Sequence, residues 1–343
     1  MANSSYSNIH PVNEILRNLA IEAIPSDGQL IADQVIENVD VNAIGPTGTL
    51  LIEETRNFMG SPDVDAQRAP GADRQRIGNF DRSSTTFATK IFSLSDEIAL
   101  EDIKYSQYPG NEEQRSFKKV QRSMLLNRET RLANLLFGAS NWGSFTSTLA
   151  ALGSGSNGTK WNQAGAEPLT DLHALIDVIR ANSHGILPDC LVLGYGALRA
   201  LSRNAEVRGF FTAGSTPSGT AAGNRLMKDD MVISVLKEVL GIPNVYVGQA
   251  RKETANAGLT SSESQVWTDD TVFMGIMKGS DAIANKNGVK VMPVAALNFV
   301  YEGYSSGAYD DLAVTKRTVW MEHTHQDKVI AQNYGFCLTD CLA

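Results

Sequence analysis

The sequence predicts a mixed α+β protein, and three observations predict it. Asn111 to Phe137 reads NEEQRSFKKVQRSMLLNRETRLANLLF, without Pro or Gly, long enough for a helix of about seven turns. From Asp171 onward, short helix and strand patterns alternate. The chain then closes on two β-like runs, Ala313 to Gln326 and Lys328 to Leu338. No internal repeat interrupts this order.

Composition bounds the problem. A chain of 343 residues makes one large domain or two modest ones. An apolar fraction of 42% suffices for a core, so the chain is folded rather than disordered. The net charge of −8 means that the whole chain is no electrostatic glue for nucleic acid, which it would meet weakly or through a local basic patch. Cys190, Cys337 and Cys341 form no disulfide framework. The C-x3-C pair at 337 and 341 has no second Cys or His pair beside it. Three buried small apolar side chains in a reducing compartment are the expectation. The N-terminal MANSSYSNIHPVNEILRNLA lacks the charged start and apolar run of a signal peptide. No stretch approaches the roughly 18–20 apolar residues of a membrane span. The chain is therefore expected in the cytosol.

The first hundred residues are polar and interrupted. Asn13 to Ala23 carries Ile15, Leu16, Leu19, Ala20 and Ala23 at helical spacing, and Gly28 to Asn38 is a second short candidate. Pro25-Ser26-Asp27 and Gly45-Pro46-Thr47-Gly48 break the chain around them. Pieces so short cannot offset their ordering entropy alone and must lie on something else, as an arm. Thr49 to Phe58 and Ser83 to Leu94 read as the two strands of a long hairpin. Its wide polar tip, Gly60 to Gly78, sets Arg68, Arg74 and Arg76 among Asp63, Asp65 and Asp73. A hairpin of that length is marginal alone, which favours pairing of the tip with a neighbour over a merely solvated loop.

The long helix opens on Asn111, Glu112 and Glu113, a capped and acidic start. Phe117, Val120, Met124, Leu125, Arg128, Leu132 and Leu135 form its stripe, and Gly138 stands at the helix-ending position. Residues 138–168 are a Gly/Ser/Thr/Asn-rich connection holding Trp142 and Trp161. Helices follow at Asp171 to Ser183, Gly196 to Ser202 and Val232 to Leu240. Strands follow at Cys190 to Leu193, Asn244 to Gln249, Val272 to Lys278 and Val289 to Pro293.

Chemistry is sparse. Gly153-Ser-Gly-Ser-Asn-Gly158-Thr159-Lys160 has Thr and Lys in the wrong order for a phosphate loop, and no helix follows it. His323 and His325 fall on one face of a strand, near Glu322 and Asp327. No third metal ligand is fixed by spacing, so they read as polar residues on a solvent or interface face. Asp229-Asp230, Asp269-Asp270 and Asp310-Asp311 stand at turn-like places and read as solvated. No nucleophile elbow, metalloprotease or dinucleotide motif is present. No catalytic, cofactor or metal site is expected, and the chain reads as an assembly protein rather than an enzyme.

Residues 86–137, TFATKIFSLSDEIALEDIKYSQYPGNEEQRSFKKVQRSMLLNRETRLANLLF, carry a resemblance. A strand leads to an acidic patch at Asp96-Glu97 and Glu101-Asp102, and a link follows at Tyr108-Pro109. A long helix then ends in Arg128-Glu129 and Leu132-Ala133-Asn134-Leu135-Leu136-Phe137. The strand Arg317 to His325, the close from Tyr334 to Thr339, and KEVLGIPNVYVGQARKE from Lys237 to Glu253 complete it. In order and spacing these parts resemble the major capsid proteins of tailed bacteriophages, which share the Hong Kong 97-like fold.

The resemblance implies an α+β chain in five parts. These are an N-terminal arm (1–48), an extended loop (49–95), a peripheral domain (96–169) with its spine helix at 111–137, an axial domain (170–305), and C-terminal strands (306–343) returning to the peripheral domain. It implies self-assembly as hexamers and pentamers into an icosahedral head shell around double-stranded DNA, in the virion after assembly in the host cytoplasm. Implied partners are other copies, a separate scaffolding protein, the portal and a decoration protein. DNA would be touched only weakly and non-specifically, and no membrane is involved. Subunit contacts are expected at Arg68, Arg74, Arg76, Lys90, Glu112, Glu113, Arg115, Lys118, Lys119 and Arg122. Some relatives cross-link Lys to Asn. Lys90 and Asn79 lie in that loop region, but no catalytic acid is marked and the chemistry is not carried over. An encapsulin-like compartment shell and an unrelated α+β enzyme are the alternative readings.

Overall fold

The computed structural model describes residues 30–53, 70–71, 82–105, 112–212, 227–255, 260, 262–278, 283–284, 290–291, 294–311 and 313–343. The helix expected at Asn13 to Ala23, most of the hairpin tip with Arg68, Arg74 and Arg76, Asn79, the 106–110 link and Asn111 lie outside the described residues.

Two five-stranded sheets and the long helix organise the described residues. In the first sheet the long strand Lys316–Val329 is central. Lys90–Ala99 pairs along one side of it, from Lys90 opposite His325 to Ala99 opposite Lys316. On the other side lie Ser305–Asp311 and Ala296–Val300, both antiparallel, and Glu37–Asp40 extends the sheet in parallel to Ala296–Val300. Strand alternation turns Val319 and Met321 to one face. There they pack with Phe117, Val120 and Met124 of the long helix, and with Phe92, Leu94 and Ile98.

The long helix is Glu112–Leu136, within one residue of its expected bounds. Its second half, through Leu132, Ala133 and Leu136, reaches a different core with Trp142, Trp267 and Phe273. One rigid element thus joins both sheets. The second sheet runs Thr146–Thr148, Gly335–Thr339, Val272–Gly275, Cys190–Gly194, Asn244–Gly248. Its central strands are buried on both faces, so their apolar runs are continuous. Leu191, Leu193, Val272 and Met274 face helices Pro168–Asn182, Tyr195–Arg203 and Asp229–Leu240. Cys190, Val192, Phe273 and Cys337 face the end of the long helix.

Several expectations are corrected. The return run Ser83 to Leu94 is two strands. Arg82–Ala88 pairs with Thr47–Glu53, and Lys90–Ala99 joins the main sheet. The break is at Thr89, whose backbone N–H and hydroxyl both donate to the Pro46 carbonyl at 2.8 and 3.0 Å. Ser305–Asp311 was not expected as a strand, because SSGAYDD has little β pattern of its own. The long strand recruits it, and Gly307 leaves the space occupied by Trp320, whose ring lies 2.9–3.0 Å from where a Cβ would stand. Gly138 ends the helix at φ −74° rather than in the left-handed conformation. Glycine is required there because a Cβ would overlap the Asn134 carbonyl oxygen. The last helical carbonyls are satisfied by side chains of the next turn: Asn141 donates to Asn134 and Leu135, and Trp142 donates to Leu136 at 2.8 Å. Asp229-Asp230 opens a helix and Asp310-Asp311 ends a strand, rather than both lying in turns.

The arm reading also changes. Ile31, Ala32, Val35 and Ile36 are buried against the long helix of their own chain, and Val41 against Phe87, Val294 and Phe299. Residues 31–41 thus pack on the body of their own chain.

Candidate subunit-contact surface

The first half of the long helix carries most of the expected contact residues, and part of their charge is engaged within the chain. Glu113 accepts from Arg317 of the long strand at 3.1 Å. Lys119 donates to Asp96 at 2.8 Å, and the Ser116 hydroxyl meets the same carboxylate at 2.7 Å. Burial pushes the Asp96 carboxyl up, but the Lys119 and Ser116 hydrogen bonds and the ammonium charge outweigh it and hold it below the usual range. Arg115 pairs with Glu112 one turn back at 3.2 Å. Lys118 and Arg122 are exposed on the same side of the helix, and Lys90 is exposed at the start of its strand. The geometry thus separates Glu113 and Lys119, which fasten the helix to the sheet, from the outward Arg115, Lys118 and Arg122. The Lys119 side chain is 70% exposed. Lys119→Ala is therefore expected to lower stability by no more than about 1 kcal/mol, read from urea unfolding midpoints.

Beneath the middle of the helix lies a polar centre whose burial the sequence reading did not anticipate. Arg128, Glu129, His323 and His325 are all under 4% exposed. Arg128 forms an ion pair with Asp33 and donates to Asn38 at 3.0 Å. Glu129 accepts from the Ile31 and Ala32 backbone N–H groups at 3.0 and 2.8 Å and from the Trp267 indole at 2.7 Å. Burial holds the Glu129 carboxyl above its ordinary range, and these three donors offset only part of that rise. The two residues therefore clamp the 31–38 segment onto the helix. A signal was present: Arg128 stood in the apolar stripe, and Glu129 beside it faces the second core.

His323 and His325 are on one strand face as expected, but that face is interior, not solvent or interface. The rings stack on one another at 4.3 Å. Tyr304 stacks on His323 at 4.0 Å, Phe92 lies 4.9 Å from His325, and the Arg131 guanidinium covers Phe92 at 3.5 Å. Stacked imidazoles beside two guanidiniums do not converge on a cation. Among the described residues no group of three or more His, Cys, Asp or Glu is placed to hold a metal ion. All three cysteines are free and buried. Burial pushes the Cys337 thiol up to about 12 and raises the Cys190 and Cys341 thiols as well. Thiols held protonated this way are poor nucleophiles. Among the described residues no helix is long and apolar enough to cross a membrane.

A second buried carboxylate was also missed. Asp171 opens the helix Pro168–Asn182 and is 1% exposed. It accepts from the Ser154 hydroxyl at 2.8 Å, the Ser156 N–H at 3.1 Å, the Ser156 hydroxyl, and the Trp161 indole at 3.0 Å. It organises the Gly/Ser-rich connection into an ordered loop, where the sequence suggested only a linker.

No protein-family model matches the chain, and no curated protein sequence matches it. Solved structures do. A phage-related protein from Bordetella bronchiseptica RB50 superposes with a TM-score of 0.66 at 19% identity, over 97% of this chain and 98% of that one. A structure from Mycobacterium phage Adephagia gives 0.55 at 9% identity, over 93% and 92%. The capsid of Myoviridae phage XM1 gives 0.50 at 16% identity, over 90% and 91%. The protein thus has the fold of phage capsid proteins. That fold is of the Hong Kong 97-like type, here with its long helix spanning two sheets.

Proposed function

We propose that this chain is the major capsid protein of a tailed phage, with copies joining as hexamers and pentamers into the icosahedral head shell that encloses double-stranded DNA in the virion. The observation that carries the reading is the extent of the likeness: nine-tenths or more of both chains superpose, the phage XM1 capsid included. The parts fit a structural role. A rigid helix holds two sheets in fixed relation, as a repeating shell unit requires. The hairpin Thr47–Glu53 with Arg82–Ala88 is a separate two-stranded sheet, and a ribbon of that kind gains stability by lying on another surface. The outward Arg115, Lys118 and Arg122, together with Lys90 and the tip residues Arg68, Arg74 and Arg76, are the proposed contacts to neighbouring copies. A net charge of −8 keeps the wall from gripping the packaged DNA. A scaffolding protein, the portal and a decoration protein are the further proposed partners.

The test is to express the chain and examine it by size-exclusion chromatography and negative-stain electron microscopy. Closed shells, or rings of five and six, are expected. A chain that stays monomeric at every concentration, in crowded solution and after co-expression with its neighbouring genes overturns the reading. Shells that consistently carry an enzyme cargo would instead establish a compartment.

A further inference from the structure

The polar centre under the long helix is a closed ledger of charge. Arg128 and Arg131 enter from the helix, Asp327 from the long strand, Asp33 from the N-terminal segment, and Tyr304 from the turn beside it. At neutral pH the two guanidiniums and two carboxylates balance, and the stacked imidazoles between them are uncharged. His325 cannot take a proton in place. Its Nε2 faces the Arg131 guanidinium at 3.1 Å and must be the acceptor there, since that group always donates. Among the described residues the one carboxylate near it, Asp327, is 3.9 Å away. His323 is sandwiched between Tyr304 and His325 and is 3% exposed. Two further positive charges in this stack would lie against each other and against two arginines in a desolvated space.

We propose that the Tyr304–His323–His325–Phe92–Arg131 column is an acid-release joint: proton uptake by His323 and His325 in mildly acidic solution parts the middle of the long helix, with the segment it clamps, from the long strand. The apolar anchors on either side do not titrate. Phe117, Val120 and Met124 hold one end to the sheet, and Leu132 and Leu136 hold the other to the second core. The joint therefore opens locally and leaves both cores folded.

The direction follows from linkage. Burial and the neighbouring cations depress the imidazoles to about 3 at His323 and about 2 at His325 in the closed joint, against an ordinary 6.5. Closure is therefore favoured fully above 6.5 and is progressively lost as pH falls toward those values. Two protons bound only by the open form multiply the open-to-closed ratio up to about 100-fold per pH unit well below 6.5, or about 2,500-fold between pH 6.5 and 4.5. Burial raises Asp327, and its protonation favours the closed form as pH falls. That opposes the histidines.

Hydrogen exchange of the full chain, corrected for intrinsic rates and followed from pH 7 to 4.5, tests this. Protection in 123–131 and 320–327 is expected to fall by at least about 100-fold while Pro168–Asn182 stays protected. His323→Phe keeps the ring stack and removes one titrating group. It should cut the pH dependence to at most about tenfold per unit. Equal pH dependence in both proteins, or none in the wild type, overturns the proposal. A measurement without a variant decides the case if His323→Phe does not fold: the C2-hydrogen exchange of the two histidines. Both should titrate together, below the ordinary imidazole range and in step with the loss of protection. Titration near 6.5 with protection intact overturns the joint.

Discussion

Replacing Glu129 by Ala is expected to destabilise the protein by about 3–5 kcal/mol, because three buried donors lose their acceptor and each orphan costs about 1–3 kcal/mol. The donors are the backbone N–H groups of Ile31 and Ala32 and the Trp267 indole. The first two belong to the segment that covers the end of the long helix, and Trp267 lies in the same core. The loss should therefore be both global and local. Urea unfolding reads the global part, and hydrogen exchange over residues 31–41 should show that segment released first. Glu129→Gln keeps the shape and one acceptor oxygen and should fall between wild type and Ala. If Glu129→Ala unfolds with a midpoint equal to wild type, the clamp contributes nothing and residues 31–41 are held by apolar burial alone.

Asp171→Ala is expected to cost a similar amount, about 3–5 kcal/mol, through a different loop. Four donor groups from Ser154, Ser156 and Trp161 lose one carboxylate. All four contacts donate to Asp171, so Asp171→Asn keeps an acceptor for only two of them and turns a donor toward the other two. The loop it holds also fastens the last described strand region, since Trp161 N–H donates to the Cys341 carbonyl at 2.9 Å and Lys160 pairs with Asp340. Differential scanning calorimetry should show both substitutions lowering the melting temperature, with Asp171→Asn closer to Asp171→Ala than to wild type. Near wild-type melting of Asp171→Asn would show that one of the four donors has an alternative acceptor.

The periodic parts of the chain were legible because their signals are local. The long helix was readable to within a residue at each end, since the absence of Pro and Gly, the acidic start and the apolar spacing all lie inside it. Cys190–Gly194, Asn244–Gly248 and the helices around them were readable for the same reason. Residues whose role depends on what comes to meet them were not. Arg128, Glu129 and Asp171 are charged, and nothing local shows what such a side chain pairs with. The partners of Arg128 and Glu129 stand far along the chain, at Asp33 and Trp267, and Asp171 meets its own across an irregular connection with no periodic signal. The strand Ser305–Asp311 and the break at Thr89 likewise depend on the long strand and on Pro46.

The sequence by itself determined the fold class, the length of the helix and the order of the elements, because hydrophobic period, turn residues and caps act within a few residues. Only the tertiary structure decided that the histidine pair is interior, that residues 31–41 belong to the body of the chain, and that Glu113 and Lys119 spend their charge on their own sheet. Those outcomes rest on desolvation and on hydrogen bonds between distant segments, and neither is set until the helix and the long strand have met.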